Sequence, residues 1–160
     1  MSKGSRIKNL LFVAAILLAG YSWFSSQHGA TSNKALNAIQ SQNQSQSSDR
    51  SDAIIANAFT NRLSNLQVSG EGVVIKLLPD DQSGSQHQKF IVRLANGQTL
   101  LVAHNIDLAP RVSGLTKGDT VMFSGEYEWS AKGGLLHWTH RDPDGSHPSG
   151  WIRHHGRTYQ

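Results

Sequence analysis

From Leu66 onward, apolar and polar side chains alternate with period two, and glycine or asparagine breaks the alternation at short intervals. Successive side chains of an extended strand point to opposite faces, so this pattern makes half-buried strands and disfavours helices over the same stretch. Phe90, Val92 and Leu94 alternate with Lys89, Ile91 and Arg93. Asn96-Gly97 follows, a pair suited to the positive φ angles of a two-residue hairpin turn, and residues 98–104 return as the partner strand. Gln67–Leu78 is a first strand, with a bulge or sharp coil expected at Gly70 and Gly72. Asn105–Lys117 is a longer connection with room for a helical turn. Gly118-Asp119 opens a fourth strand with Val121, Phe123, Gly125, Tyr127 and Trp129 on one face, and Gly133-Gly134 turns the chain into a fifth, Leu135–Thr139. Five strands in this order predict an all-β domain over 66–160, a small OB-like Greek-key barrel. A short open antiparallel sheet is the alternative.

The chain ahead of this domain is of another kind. Lys3, Arg6 and Lys8 precede an apolar run of 15 residues, Leu10 to Phe24. A free-standing span needs about 20, but such a run is normal for the apolar part of a signal sequence. Tyr21 stands after Leu18-Ala19-Gly20, where a lipid anchor requires cysteine, and the residues around Tyr21–Ser26 make a poor cleavage site. Residues 1–24 are therefore read as an uncleaved signal anchor, with residues 8–24 in the membrane and everything after Phe24 outside the cytoplasm. A cleaved signal peptide is the alternative. Residues 25–50, rich in Ser, Gln and Asn, read as a flexible linker. Residues 51–65 read as a short amphipathic helix capped by Ser51 or Asp52, with Ile55, Phe59 and Leu63 on one face beside Ile54 and Ala58.

Charge and composition narrow the function. Six basic residues against two acidic ones up to Asn65 carry the whole net charge of +4, because nine of each follow. A neutral domain lacks the basic footprint through which phosphate neutralisation gives nucleic-acid binders their affinity, so nucleic acid is not favoured as a partner. The absence of cysteine removes disulfides, thiolate catalysis and cysteine-ligated metals. Chemistry is left to histidine, carboxylates, hydroxyls and backbone.

The segments His87-Gln-Lys-Phe90, Ala103-His-Asn-Ile-Asp-Leu-Ala-Pro-Arg111, Gly125-Glu-Tyr-Glu-Trp129 and Gly133-Gly-Leu-Leu-His-Trp-Thr-His-Arg-Asp-Pro143 carry a resemblance. Together with Asp80-Asp81 and His147-Pro-Ser-Gly-Trp-Ile152, they resemble a family of small proteobacterial envelope proteins known as a domain of unknown function. The resemblance covers about residues 66–160. It implies a shared fold and a bacterial envelope setting, with the anchor in the inner membrane and the domain in the periplasm, or a secreted or periplasmic protein if the signal is cleaved. It carries no activity to transfer.

Seven of the eight histidines lie in the neutral domain: His87, His104, His137, His140, His147, His154 and His155. In a barrel of this connectivity the first-to-second and third-to-fourth connections meet near the end of the fifth strand. That pole collects Asp80, Asp81, His87, His104, Asp107, His140 and Asp142 as candidate ligand or metal residues, with Asn105 and Asp119 beside them. His137 and His140 point to opposite faces of a strand and converge only if it ends near Trp138. Asp142-x-Asp144-Gly145 reads as a turn, His154-His155 as exposed tail, and Tyr127, Trp129, Trp138 and Trp151 as core and lid aromatics. Two functions fit. The first is a tethered binding module for a small ligand, oligosaccharide or peptide, with a divalent metal ion as candidate cofactor. The second is a metal-dependent hydrolase of phosphodiesterase or nuclease type, with His87 or His104 as candidate base and Arg93, Arg111 or Arg141 as candidate catalytic cation.

Overall fold

The structure, a computed structural model, describes residues 34, 36–81 and 84–160. The expected anchor at 1–24 lies outside the described residues. Among those described, no helix is long and apolar enough to cross a membrane. The chain divides into two units, Met1–Gln44 and Ser45–Gln160. Helix α1 spans residues 36–60, so it starts well before the expected 51–65 and ends five residues sooner. Glutamine and alanine favour helix, and serine hydroxyls satisfy carbonyls one turn back, as in Ser41 Oγ to Asn37 O (2.9 Å) and Ser51 Oγ to Ser47 O (3.0 Å). Because the helix continues past Ser51 and Asp52, neither caps it. The Asp52 carboxylate instead accepts the backbone N–H of Asn96 at 3.2 Å, and Asn96 Nδ2 donates to Asp52 O. With Ile55 and Ala58 buried in the core, this ties the second half of α1 to the Asn96-Gly97 hairpin.

Strands β1 (Leu66–Leu78), β2 (His87–Arg93), β3 (Thr99–Asn105), β4 (Thr120–Glu128) and β5 (Leu135–His137) close into a barrel. The order is β1-β2-β3-β5-β4, and β4 pairs back onto β1. The β3–β5 pair is parallel and the others are antiparallel. β2 and β3 are neighbours through the whole hairpin, from Arg93 opposite Thr99 to His87 opposite Asn105. β1 serves two partners, β4 up to Val73 and β2 from Val73 on. The irregularity in β1 falls between Val74 and Lys76, not at the glycines. Gly70 and Gly72 serve close approach instead. A Cβ at Gly70 would stand 2.9 Å from the Phe123 ring, and one at Gly72 would stand 3.0 Å from Val92. The inward faces of the strands supply the core, led by Tyr127, Phe90, Phe123, Leu100 and Leu136. The connection after β3 is a run of turns that includes one helical turn, closed by the Ala109 N–H bond to Asn105 O at 3.2 Å. It is clamped by Gln88, whose side chain accepts the N–H of Val112 at 2.8 Å and donates to its carbonyl at 3.1 Å.

Two strands go beyond the expected five. β6 (Trp151–His154) pairs with the first half of β4, along the edge that β5 covers further on, and β7 (Arg157–Tyr159) pairs with β6. The C-terminal segment is therefore sheet, and His154 is 2% exposed, not part of an exposed tail.

Candidate functional site

β5 is only three residues long because Trp138 adopts a φ of 50°, in the left-handed region. That reversal breaks the strand's alternation. His137 and His140 therefore line one surface cleft, together with Ser85, His87, Asn105 and Trp138. Its volume is ≈ 210 Å³. β2 contributes its first residue and β3 its last, so the cleft sits where the first hairpin, the end of β3 and the segment after β5 meet.

Hydrogen bonds fix the imidazoles. Nδ1 of His87 donates to Ser85 O at 2.9 Å, and Nδ1 of His140 donates to Arg141 O at 2.6 Å. A carbonyl can only accept, so Nδ1 carries a proton in both rings, and Nε2 is the acceptor of the neutral form. His147 repeats the pattern, with Nδ1 donating to Pro148 O at 2.9 Å. Its ring stands on Trp138 at a centroid distance of 3.6 Å. Below it, the Asp142 carboxylate accepts the N–H groups of His147 (2.8 Å) and Asp144 (3.1 Å) and the Ser146 hydroxyl (3.0 Å). These donors hold the Asp142 carboxyl down at about 2, and they make residues 142–147 a strap over Trp138.

The seven expected pole residues do not form one cluster. His87 and His140 share the cleft. Asp81 stands behind His87, 3.3 Å from its Nδ1, and pairs with Lys89, which with His87 lowers its carboxyl below the ordinary range. Asp107 accepts the N–H of Gln86 at 2.8 Å and so shapes the loop entering β2. Asp142 acts through the strap. Asp80 pairs with Arg111 in a separate depression lined by Gln88 and Lys89. His104 is fully buried: Nε2 donates to Pro110 O at 3.1 Å, and Nδ1 accepts from Thr139 Oγ1 at 2.8 Å. Burial, ahead of all else, lowers its pKa. With both nitrogens engaged, His104 is unsuited to act as base or ligand. Arg93 ends β2 at the hairpin and lines a different depression with Glu71 and Thr120, and Arg111 lies with Asp80, so of the three candidate arginines only Arg141 adjoins the cleft, through His140. Asp119 pairs with His154 at 3.0 Å, away from the cleft set.

Sequence reasoning missed Ser85 and the strap residue His147. It also missed the pair Glu126 and Glu128, whose outward positions on β4 face β5. Glu126 lies opposite His137 in register. The alternation Glu-x-Glu was visible, but its partner strand was not.

A family profile described as a protein of unknown function, DUF3465, matches residues 36–160. The matched region thus takes in α1 as well as the barrel. No curated protein matches the chain.

Proposed function

Starting from the membership of this chain in the DUF3465 family, to which it belongs, we propose that it is an envelope-tethered, OB-like binding module that holds a hydroxyl-rich ligand, an oligosaccharide, in the cleft of His87, Asn105, Trp138 and His140. The observation that carries this reading is the pair of imidazoles whose Nδ1 protons are committed to backbone carbonyls. In the neutral form both rings offer acceptors to the cleft, the Asn105 amide, whose oxygen accepts the N–H of Asp107 at 2.9 Å, adds N–H donors, and Trp138 adds an apolar wall. Sugar hydroxyls both donate and accept, and their C–H faces pack on indole. The cleft is small and mostly polar, with Trp138 as its one large apolar wall, which suits a hydroxyl-rich ligand better than an apolar one.

The tether is the N-terminal segment. The basic residues Lys3, Arg6 and Lys8 followed by Leu10–Phe24 support an inner-membrane anchor at 8–24 with the barrel in the periplasm. Protease added to spheroplasts then removes the domain, and full protection contradicts the placement. Binding is tested by screening the purified full chain against a panel of neutral oligosaccharides. The reading expects saturable binding that weakens at least tenfold in His87→Ala and Asn105→Ala. Binding that is equal in the variants and the wild type contradicts it.

A further inference from the structure

On the outer wall of the barrel, the antiparallel pairing of β4 with β5 sets Glu126 opposite His137, and Glu128 lies two residues further on the same face. Oε1 of Glu126 lies 3.5 Å from His137 Nε2, and Oε1 of Glu128 lies 3.9 Å from it. Taken together, the three donor atoms lie within 4.8 Å of one another. Two like charges on one strand face repel, and both carboxylates are partly covered, at 21% and 29% exposed. Among the described residues, the ion pairs they make are both with His137. The His137 side chain is 31% exposed, but its Nε2 is shut off from solvent and makes no hydrogen bond, only the two longer ion pairs with the glutamates. A covered polar atom without a hydrogen bond loses its hydration uncompensated, so this nitrogen calls for a partner.

We infer that Glu126, Glu128 and His137 form a zinc site. Zinc takes imidazole nitrogen at about 2.0–2.1 Å and carboxylate oxygen at about 2.0–2.2 Å. Tetrahedral geometry at those lengths separates donor atoms by about 3.4 Å. The Glu126–His137 separation already fits, and with all three pairs within 4.8 Å the carboxylates have to draw in around an ion. A divalent ion removes the repulsion between the glutamates and gives Nε2 its partner. Three protein donors leave a fourth position for water or an exogenous ligand, as in zinc sites that do more than hold a fold together. His137 also lines the cleft, so an ion here stands at the cleft's border. The site does not depend on sugar binding, and either reading can fail alone.

The test is calorimetric titration of the chelator-stripped full chain with zinc chloride, alongside the Glu126→Gln/Glu128→Gln double variant and an Asp119→Asn control. The control addresses the other His/Asp grouping, Asp119 with His154 and His155. One equivalent of zinc is expected in the wild type and in Asp119→Asn. Changes in the shell behind a metal's ligands already cost about 10–100-fold in affinity, so loss of two direct ligands is expected to cost more than about 100-fold. If the double variant does not fold, imidazole ¹⁵N spectra of the wild type decide: zinc must shift the His137 Nε2 resonance. No zinc binding, binding unchanged in the double variant, binding lost only in Asp119→Asn, or a His137 resonance that titrates as a protonated imidazole and ignores zinc would each overturn the inference.

Discussion

Thr139 Oγ1 lies 2.8 Å from Nδ1 of His104, and this bond joins the end of β3 to the segment that leaves β5. Thr139 is itself fully buried. The bond fixes where the chain goes after Trp138, and so where His140 enters the cleft. It also decides the role of His104. An imidazole that accepts from a buried hydroxyl and donates to the Pro110 carbonyl holds the fold together and has no nitrogen left for a ligand.

Stability should therefore depend on pH through His104. Burial holds its pKa below the ordinary 6.5, so the unfolded chain takes a proton that the folded chain refuses. Stability is full above the unfolded value and declines as pH falls through 6.5, by up to about 1.4 kcal/mol per pH unit. Urea denaturation of wild type and His104→Gln across pH 5–8 should show this slope in the former and a flatter profile in the latter. His104→Ala should cost about 2–4 kcal/mol at pH 7.5, since it opens a cavity and orphans two buried partners. Zinc affinity should stay unchanged.

The strap over Trp138 should be acid-labile at a lower pH. The Asp142 carboxyl is held at about 2 by backbone N–H groups, first that of His147 and then that of Asp144. A depressed carboxylate contributes stability above its ordinary 3.8, and that contribution is lost as pH falls towards 2. Near-ultraviolet dichroism should report Trp138 losing its fixed surroundings over that window. Asp142→Asn should show the loosened signal already at neutral pH, with no further change between 4 and 2.

Gly134 should not tolerate a side chain. Its φ is 110°, and a Cβ there would come 2.2 Å from the Tyr127 ring, a fully buried core residue. Overpacking and backbone strain together predict a loss of about 3 kcal/mol for Gly134→Ala. Chemical denaturation checks this. A loss below about 1 kcal/mol would mean that the turn and the ring can move apart.

The C-terminal hairpin should depend on Asp119. His154 Nε2 bonds its carboxylate at 3.0 Å, and Asp119 also accepts the N–H of Thr116, the larger cause of its lowered pKa. His154→Ala should speed amide exchange across Trp151–Tyr159 while leaving β2 and β3 protected. Uniform destabilisation of the barrel would contradict a local role.

Much of this architecture can be read from residue pattern, and the reasons for the rest are physical. Alternation around Phe90 and Val92 and the Asn96-Gly97 turn locate the second hairpin because register there is set locally. The first half of α1 is not legible in the Ser/Gln/Asn tract, because no sustained apolar stripe runs through it. β6 and β7 are short and carry histidines and arginines, so their period is too brief to register, and His154 is buried only because Asp119 receives it. Strand connectivity leads to the end of the barrel where His87 and His140 line one cleft. It cannot show that His104 points inward or that Asp80 turns to Arg111, since both depend on side-chain packing. The Glu126–Glu128–His137 grouping is a cross-strand fact, invisible until the register of β4 against β5 is known.

The central claim is that the cleft of His87, Asn105, Trp138 and His140 binds a hydroxyl-rich ligand through imidazole acceptors. The most direct measurement is an NMR titration of the full chain with neutral oligosaccharides, following the imidazole nitrogens and the Trp138 indole. The account predicts saturable shifts at His87 Nε2, His140 Nε2 and Trp138 that share one dissociation constant and weaken at least tenfold in Asn105→Ala. Shifts confined to residues outside the cleft, or no saturable shift with any oligosaccharide tested, would contradict it.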